Sequence, residues 1–199
     1  MEEDEMKTVV VYYHPYNKSF CHAILDQVIN SSLKAGHEID IIHLNVENFW
    51  PVMTSEDLQG FVKHQMVDPQ SIEYAKRVKK ADHLIMIFPI WWELMPAMIK
   101  GFIDKIIFPG TCYEYTKSGL GMRSLMPNVK VTIFSTMNTP KFIYQLIYGN
   151  ALKNALVKGT FKKSGVRKVK WVSFHMVKGS SDKKRKDWLK KVERLVTKG

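Results

Sequence analysis

The most chemically suggestive run is His14-Pro15-Tyr16-Asn17-Lys18-Ser19-Phe20, between an apolar strand-like segment and a helical one. It gathers an imidazole, an amide, an ammonium and a hydroxyl beside a helix N-terminus. Free backbone N–H groups and the positive end of the helix dipole favour a phosphate there. Ser19 alone would read as a helix cap. His14, Asn17, Lys18 and Ser19 crowded together point instead to phosphate binding. No GxGxxG occurs, so the dinucleotide fingerprint is missing.

A second loop, Phe88-Pro89-Ile90-Trp91-Trp92, places two indoles directly after a buried strand. Burying both would demand partners for both indole N–H groups. They read either as core or dimer packing or as a flat apolar wall for a planar ring, with backbone amides at the ring's polar edge. A third loop, Ser135-Thr136-Met137-Asn138-Thr139-Pro140, offers small polar side chains and amides for a heterocycle's carbonyls and nitrogens. Tyr113 and Tyr115, two positions apart, suit stacking over a bound ring or anchoring their own loop.

Elements that position these loops follow from periodicity. Residues 7–13 (KTVVVYY), 38–44, 82–88, 130–135 and 169–174 read as five strands. Helical spacing covers 19–35, 70–80, 92–107, 141–156 and 182–196, with Pro96 tolerated in a first turn. Two long connections, 45–69 and 108–128, carry little regular pattern. Strands alternating with helices imply right-handed crossovers and a parallel sheet covered on both faces. Ligands then bind outside the carboxyl ends of the strands, where the loops above lie.

A chain of 199 residues suits a single domain, 1–199, able to fold without a disulfide or metal. Cys21 and Cys112 form no CxxC or Cys/His cluster and read as packing residues in a reducing compartment. His22, His37, His43, His64 and His175 lack metal-ligand spacing, so no metal is expected. The acidic N-terminus has no apolar core and does not resemble a secretory signal. The longest apolar run, 84–92, falls short of the roughly 20 residues that a membrane span needs. A cytoplasmic protein that is not integral to a membrane is expected. The net charge of +11 gathers late, in Lys158, Lys162, Lys163, Arg167, Lys168, Lys170 and 183–191. It reads first as a solvated basic face, open to anionic partners. No helix-turn-helix, zinc or RNP-type pattern supports a nucleic-acid partner.

Together HPYNKSF, NFWPVMTSEDLQGF, FPIWWELMPAMIKGFIDKII and CYEY resemble the NAD(P)H:quinone oxidoreductase family of flavodoxin-like flavoproteins, in order over residues 7–136. The resemblance implies an α/β three-layer sandwich with a five-stranded parallel sheet in the order 2-1-3-4-5, working as a homodimer. It places a flavin phosphate near His14, Asn17, Ser19 and Phe20. The flavin ring falls to Pro89, Ile90, Trp91 and Trp92 and to the turn Ser135, Thr136, Met137 and Asn138. Tyr113 and Tyr115 match a loop that crosses the dimer to cover the site and touch substrate. FMN is favoured over FAD, because the C-terminal extension of the longer FAD-using members is missing.

In that reading hydride passes from NAD(P)H to the flavin and on to a quinone-like small-molecule acceptor. The backbone N–H groups of Met137 and Asn138 stabilise the reduced ring, and Tyr144 matches a proton-handling tyrosine. Met137-Asn138 stands where members often carry Gly-Gly, and no histidine lies between His83 and His175. A rival reading is a regulatory subunit docking its basic half on an acidic or membrane-bound partner, as some members do on potassium-efflux systems.

Overall fold

The computed structural model describes residues 6–126 and 128–197. Its core is β1 (Lys7–Tyr12) and β3 (His83–Pro89), whose side chains from Val9 to Tyr12 and His83 to Pro89 are all buried. A run apolar on both faces is what a central strand of a parallel sheet requires. With β2 (Glu38–His43), β6 (Lys130–Thr136) and β7 (Val169–Phe174) they form a five-stranded parallel sheet among the described residues, ordered β2-β1-β3-β6-β7. Counting only this sheet, that is the expected 2-1-3-4-5.

Alternate strand residues feed two cores. Val10, Tyr12, Ile85, Ile87 and Phe134 pack against α1 (Phe20–Lys34) and α6 (Asp182–Thr197). Val9, Val11, Leu84, Met86 and Ile133 pack on the other face, against α3 (Pro69–Lys79), α4 (Ala97–Ile106) and the helical segment after residue 150. Ser19 caps α1, and Gly36 ends it at φ +71°, a left-handed conformation that glycine adopts without penalty.

Four departures from the periodicity have local causes. The connection 45–69 holds a helix, α2 (Ser55–Lys63), started by a reciprocal cap: Asp57 N–H donates to Thr54 Oγ1 and Thr54 N–H to Asp57 Oδ2. α4 starts at Ala97, not Trp92, because Trp91 and Leu94 exchange backbone hydrogen bonds around a tight turn. Loop 108–128 contains the hairpin β4 (Tyr113–Tyr115) and β5 (Met122–Ser124). The helix expected over 141–156 splits into α5 (Lys141–Leu146) and a π-helix (Lys153–Lys162), with Gly149 and Asn150 left-handed between them.

Close packing fixes α4. A Cβ on Gly101 would lie 2.1 Å from the Pro51 carbonyl oxygen, so only glycine admits the 50–51 loop. On the same flank the buried Lys105 ammonium sits 2.9 Å from Asp68 and 3.4 Å from Asp57, tying α4 to the starts of α2 and α3. Burial alone would raise the Asp68 carboxyl. Hydrogen bonds from Ser71 and Lys105 outweigh it and hold the group below its ordinary value.

Candidate functional site

A cleft of about 520 Å3 opens at the carboxyl ends of β1, β3, β6 and β7. The turn into α1 contributes His14, Tyr16, Lys18, Ser19 and Phe20. Ser19 is extended, and its Oγ accepts from His22 N–H at 3.2 Å. The N–H groups of Phe20 and Cys21 open the helix and have no carbonyl behind them to bond. Cys21 Sγ lies 3.2 Å from Thr136 Oγ1, locking the first turn of α1 to the end of β6. Burial pushes that thiol up to about 12, which makes it a packing group rather than a nucleophile.

His14 Nδ1 accepts from Tyr16 N–H at 3.0 Å. Burial lowers the imidazole below its usual value, so the neutral ring carries its proton on Nε2, a donor available to an anion. The opposite wall is Pro89, Ile90 and Trp91. Trp91 meets Tyr13 and His14 edge-on, at ring-centroid distances of 6.1 and 6.3 Å.

Thr136, Met137 and Asn138 form the third side. Here the backbone corrects the expectation. Met137 N–H donates to Phe174 O at 2.9 Å and Ile90 N–H to Thr136 O at 2.7 Å, so neither amide can reach a ligand. Asn138 remains, its Oδ1 fixed by Lys178 N–H at 2.9 Å.

The fourth side is one that motif reading missed: Val177 and Lys178 after β7, and Arg185 of α6. Arg185 is held in place by Ser180 Oγ and the Val177 carbonyl. The late cluster of basic residues was visible in the sequence. Which of them would turn toward the cleft was not.

Several expected residues lie elsewhere. Trp92 and Glu93 take left-handed φ values of +48° and +64° in the tight turn, which throws the Trp92 indole outward, 99% exposed. The wall is therefore Trp91, not a pair of indoles. Asn17 is exposed and absent from the cleft lining. Ser135 is wholly buried and accepts from Trp171 Nε1 at 2.8 Å. Tyr113 and Tyr115 meet edge-to-face and line a different cavity, with Phe61 and Ile103.

Tyr144 is buried, donates to the Glu93 carbonyl at 2.8 Å and accepts from Leu152 N–H at 2.9 Å. Burial raises its hydroxyl further, so it braces two loops and has no proton to offer the cleft. His175 stands 6.2 Å from it, between the Thr139 carbonyl and Ser173 Oγ, also outside the cleft lining.

The cleft thus pairs an apolar aromatic wall with Lys18, Lys178, Arg185 and a helix N-terminus, and among the described residues no carboxylate lines it. That donor set fits a planar group carrying a phosphate. A cleft at the strand ends of a sheet in this order defines a flavodoxin-like protein. The chain belongs to that family, whose description is "Flavodoxin-like fold" and which matches residues 6–197.

A Haemophilus influenzae protein called an uncharacterized NAD(P)H oxidoreductase is 26% identical over 184 residues, covering 91% of this chain and 89% of the relative. Smu.1420 of Streptococcus mutans superposes with TM-score 0.83 at 33% identity, over 98% of this chain and 100% of that one. An NAD(P)H:quinone oxidoreductase of Methanothermobacter marburgensis shares the fold at TM-score 0.85 and 20% identity, over 97% and 98%. No described helix is long and apolar enough to cross a membrane.

Proposed function

We propose that this chain is a flavin-dependent NAD(P)H oxidoreductase of the quinone-reductase type, with FMN as its cofactor. The observation that carries this is the cleft itself: an aromatic wall and a cationic floor at the strand ends, free of carboxylates among the described residues. The relatives' names support the nicotinamide co-substrate and a quinone-like acceptor. None of them supports the regulatory-subunit reading.

Ser19, the open N–H groups of Phe20 and Cys21, and His14 Nε2 hold the phosphate. Trp91, Pro89 and Ile90 hold the ring face and keep water from it. A flavin, when bound, accepts hydride from a reduced nicotinamide and returns it to an acceptor. Asn138, through its backbone N–H, is the one amide of the Met137-Asn138 pair left to face negative charge on the ring. Lys178 and Arg185 add positive potential from the same side.

A homodimer completes the reading. Phe142, Leu146, Ile147 and Tyr148 on and after α5 are exposed, as are Trp92 and Leu94 on the turn bonded to it through Tyr144 and Thr139. So large an apolar surface suits burial against a second copy, whose Tyr113 and Tyr115 would then cover the cleft.

The test is a visible spectrum of the purified chain loaded with FMN, and bleaching on anaerobic addition of NADPH or NADH. Trp91→Ala should weaken FMN about threefold to tenfold. A chain that stays colourless with excess FMN or FAD would overturn the proposal.

A further inference from the structure

A second groove, of about 450 Å3, shares no lining residue with the cofactor cleft. Val169, Lys170, Trp171, Val172 and Ser173 all border it. Successive strand residues face opposite sides of a sheet, so only a groove running along the strand's edge can touch five in a row. β7 is the last strand in the sheet order. The Lys168 carbonyl accepts from Val131 of β6 and the Phe174 carbonyl from Met137 just after it. Two-residue alternation gives Lys170 and Val172 to β6 as well, and turns the N–H and C=O groups of Val169, Trp171 and Ser173 outward.

Five lysines surround this backbone row: Lys141 from α5, Lys153 and Lys162 from the π-helix, Lys170 from β7 and Lys191 from α6. Among the described residues no carboxylate lines the groove and none of the five enters an ion pair. The π-helix is what brings two of them together. From Lys153 to Lys162 is about 2.5 turns of an α-helix, which would set them on opposite faces. Wider i→i+5 winding, continued by Lys163 N–H to Lys158 O, brings that step close to two whole turns and aligns both on the groove.

We propose that this edge receives an acidic, extended polypeptide segment as a sixth strand, held by the outward backbone groups of Val169, Trp171 and Ser173 and by the surrounding lysines. Strand addition of this kind takes its affinity from main-chain hydrogen bonds and its selectivity from side chains. The same lysines bar a second copy of this basic chain, since charge on an edge strand repels its like. A small polyanion would satisfy the lysines but leave the backbone row unpaired. The occupant is therefore a peptide.

The test titrates a fluorescein-labelled peptide of about eight residues, alternating Glu and Val, into the full-length chain. The Glu/Val peptide should bind and its Lys/Val counterpart should not. N-methylation of alternate peptide amides, or K153E/K170E in the protein, should each weaken binding about tenfold or more. The double variant should keep its NADH oxidation rate. Amide hydrogen exchange should slow at Trp171 and Ser173 on binding and stay unchanged at Val172. Indifference to N-methylation, or equal competition by pyrophosphate or oligouridylate, would reduce the groove to a general anion patch and overturn the proposal. So would a failure of the Glu/Val peptide to bind.

Discussion

The two flanks of the sheet use the same charged residue types to opposite ends. On the β2 and α3–α4 side, cations meet carboxylates: Arg77 reaches both oxygens of Asp40 and also Glu47, and Lys105 lies between Asp57 and Asp68. On the β7 side, Lys141, Lys153, Lys162, Lys170 and Lys191 face one groove with no such partner among the described residues. Matched charges with little solvent around them hold elements together. Unmatched charges in water hold nothing and instead project a field. Part of the net +11 is thus gathered at this groove, where it can act on other molecules.

The largest effect should come from Lys105→Ala, which leaves two carboxylates facing each other in a buried site. It should lose about 3–5 kcal/mol in urea unfolding. A loss below about 1 kcal/mol would mean that the matched flank is no firmer than an exposed ion pair. Arg77→Met removes a bidentate carboxylate contact and a bond to the Ile41 carbonyl. It should lose about 1.5–3 kcal/mol by the same assay.

His83, on the central strand β3 and bonded to Thr132 of β6, should respond to acid. Burial, then the positive charge of Lys130 on β6, lowers its imidazole to about 3. At pH 7 the group is neutral whether the chain is folded or unfolded and has no effect on stability. Below about 6.5 only the unfolded chain takes the proton, so stability falls with pH and goes on falling until about 3. Between pH 7 and 5 the loss from this group is about 2 kcal/mol. His83→Gln should flatten that slope, and an unchanged slope would place the acid sensitivity elsewhere.

The smallest change should come from Lys153→Gln with Lys170→Gln, within about 0.5 kcal/mol of the parent. A loss as large as that of Arg77→Met would erase the contrast between the flanks.

Much of the architecture was legible because it rests on short-range pattern. The β-branched run 7–13 and the apolar 82–88 read as strands, and the Ser19 and Gly36 signals bracket α1. Hydrophobic spacing failed where a helix carries little of it. α2 leaves Leu58 and Val62 exposed, and its signal was the Thr54 and Asp57 capping pair. In the site, the loops after β1, β3 and β6 were identified in sequence; the segment after β7 and the individual atoms were not. Trp91 and Trp92 are neighbours of identical type, yet a turn with two left-handed residues sends one to the cleft and the other to the surface. Met137 looked like an amide donor until its N–H was found bonded to Phe174, a partner fixed by β6–β7 register.

By itself, then, the sequence determined the five strands of the parallel sheet, most of the helices and three of the loops that meet at its carboxyl end. Those follow from periodicity and from residue preferences acting over a few positions. Only the tertiary structure decided that Tyr144 is a brace, that Lys178 and Arg185 complete the cleft, and that five distant lysines share one edge. Such choices depend on hydrogen-bond partners and strand neighbours dozens of residues away, and a local pattern carries no record of them.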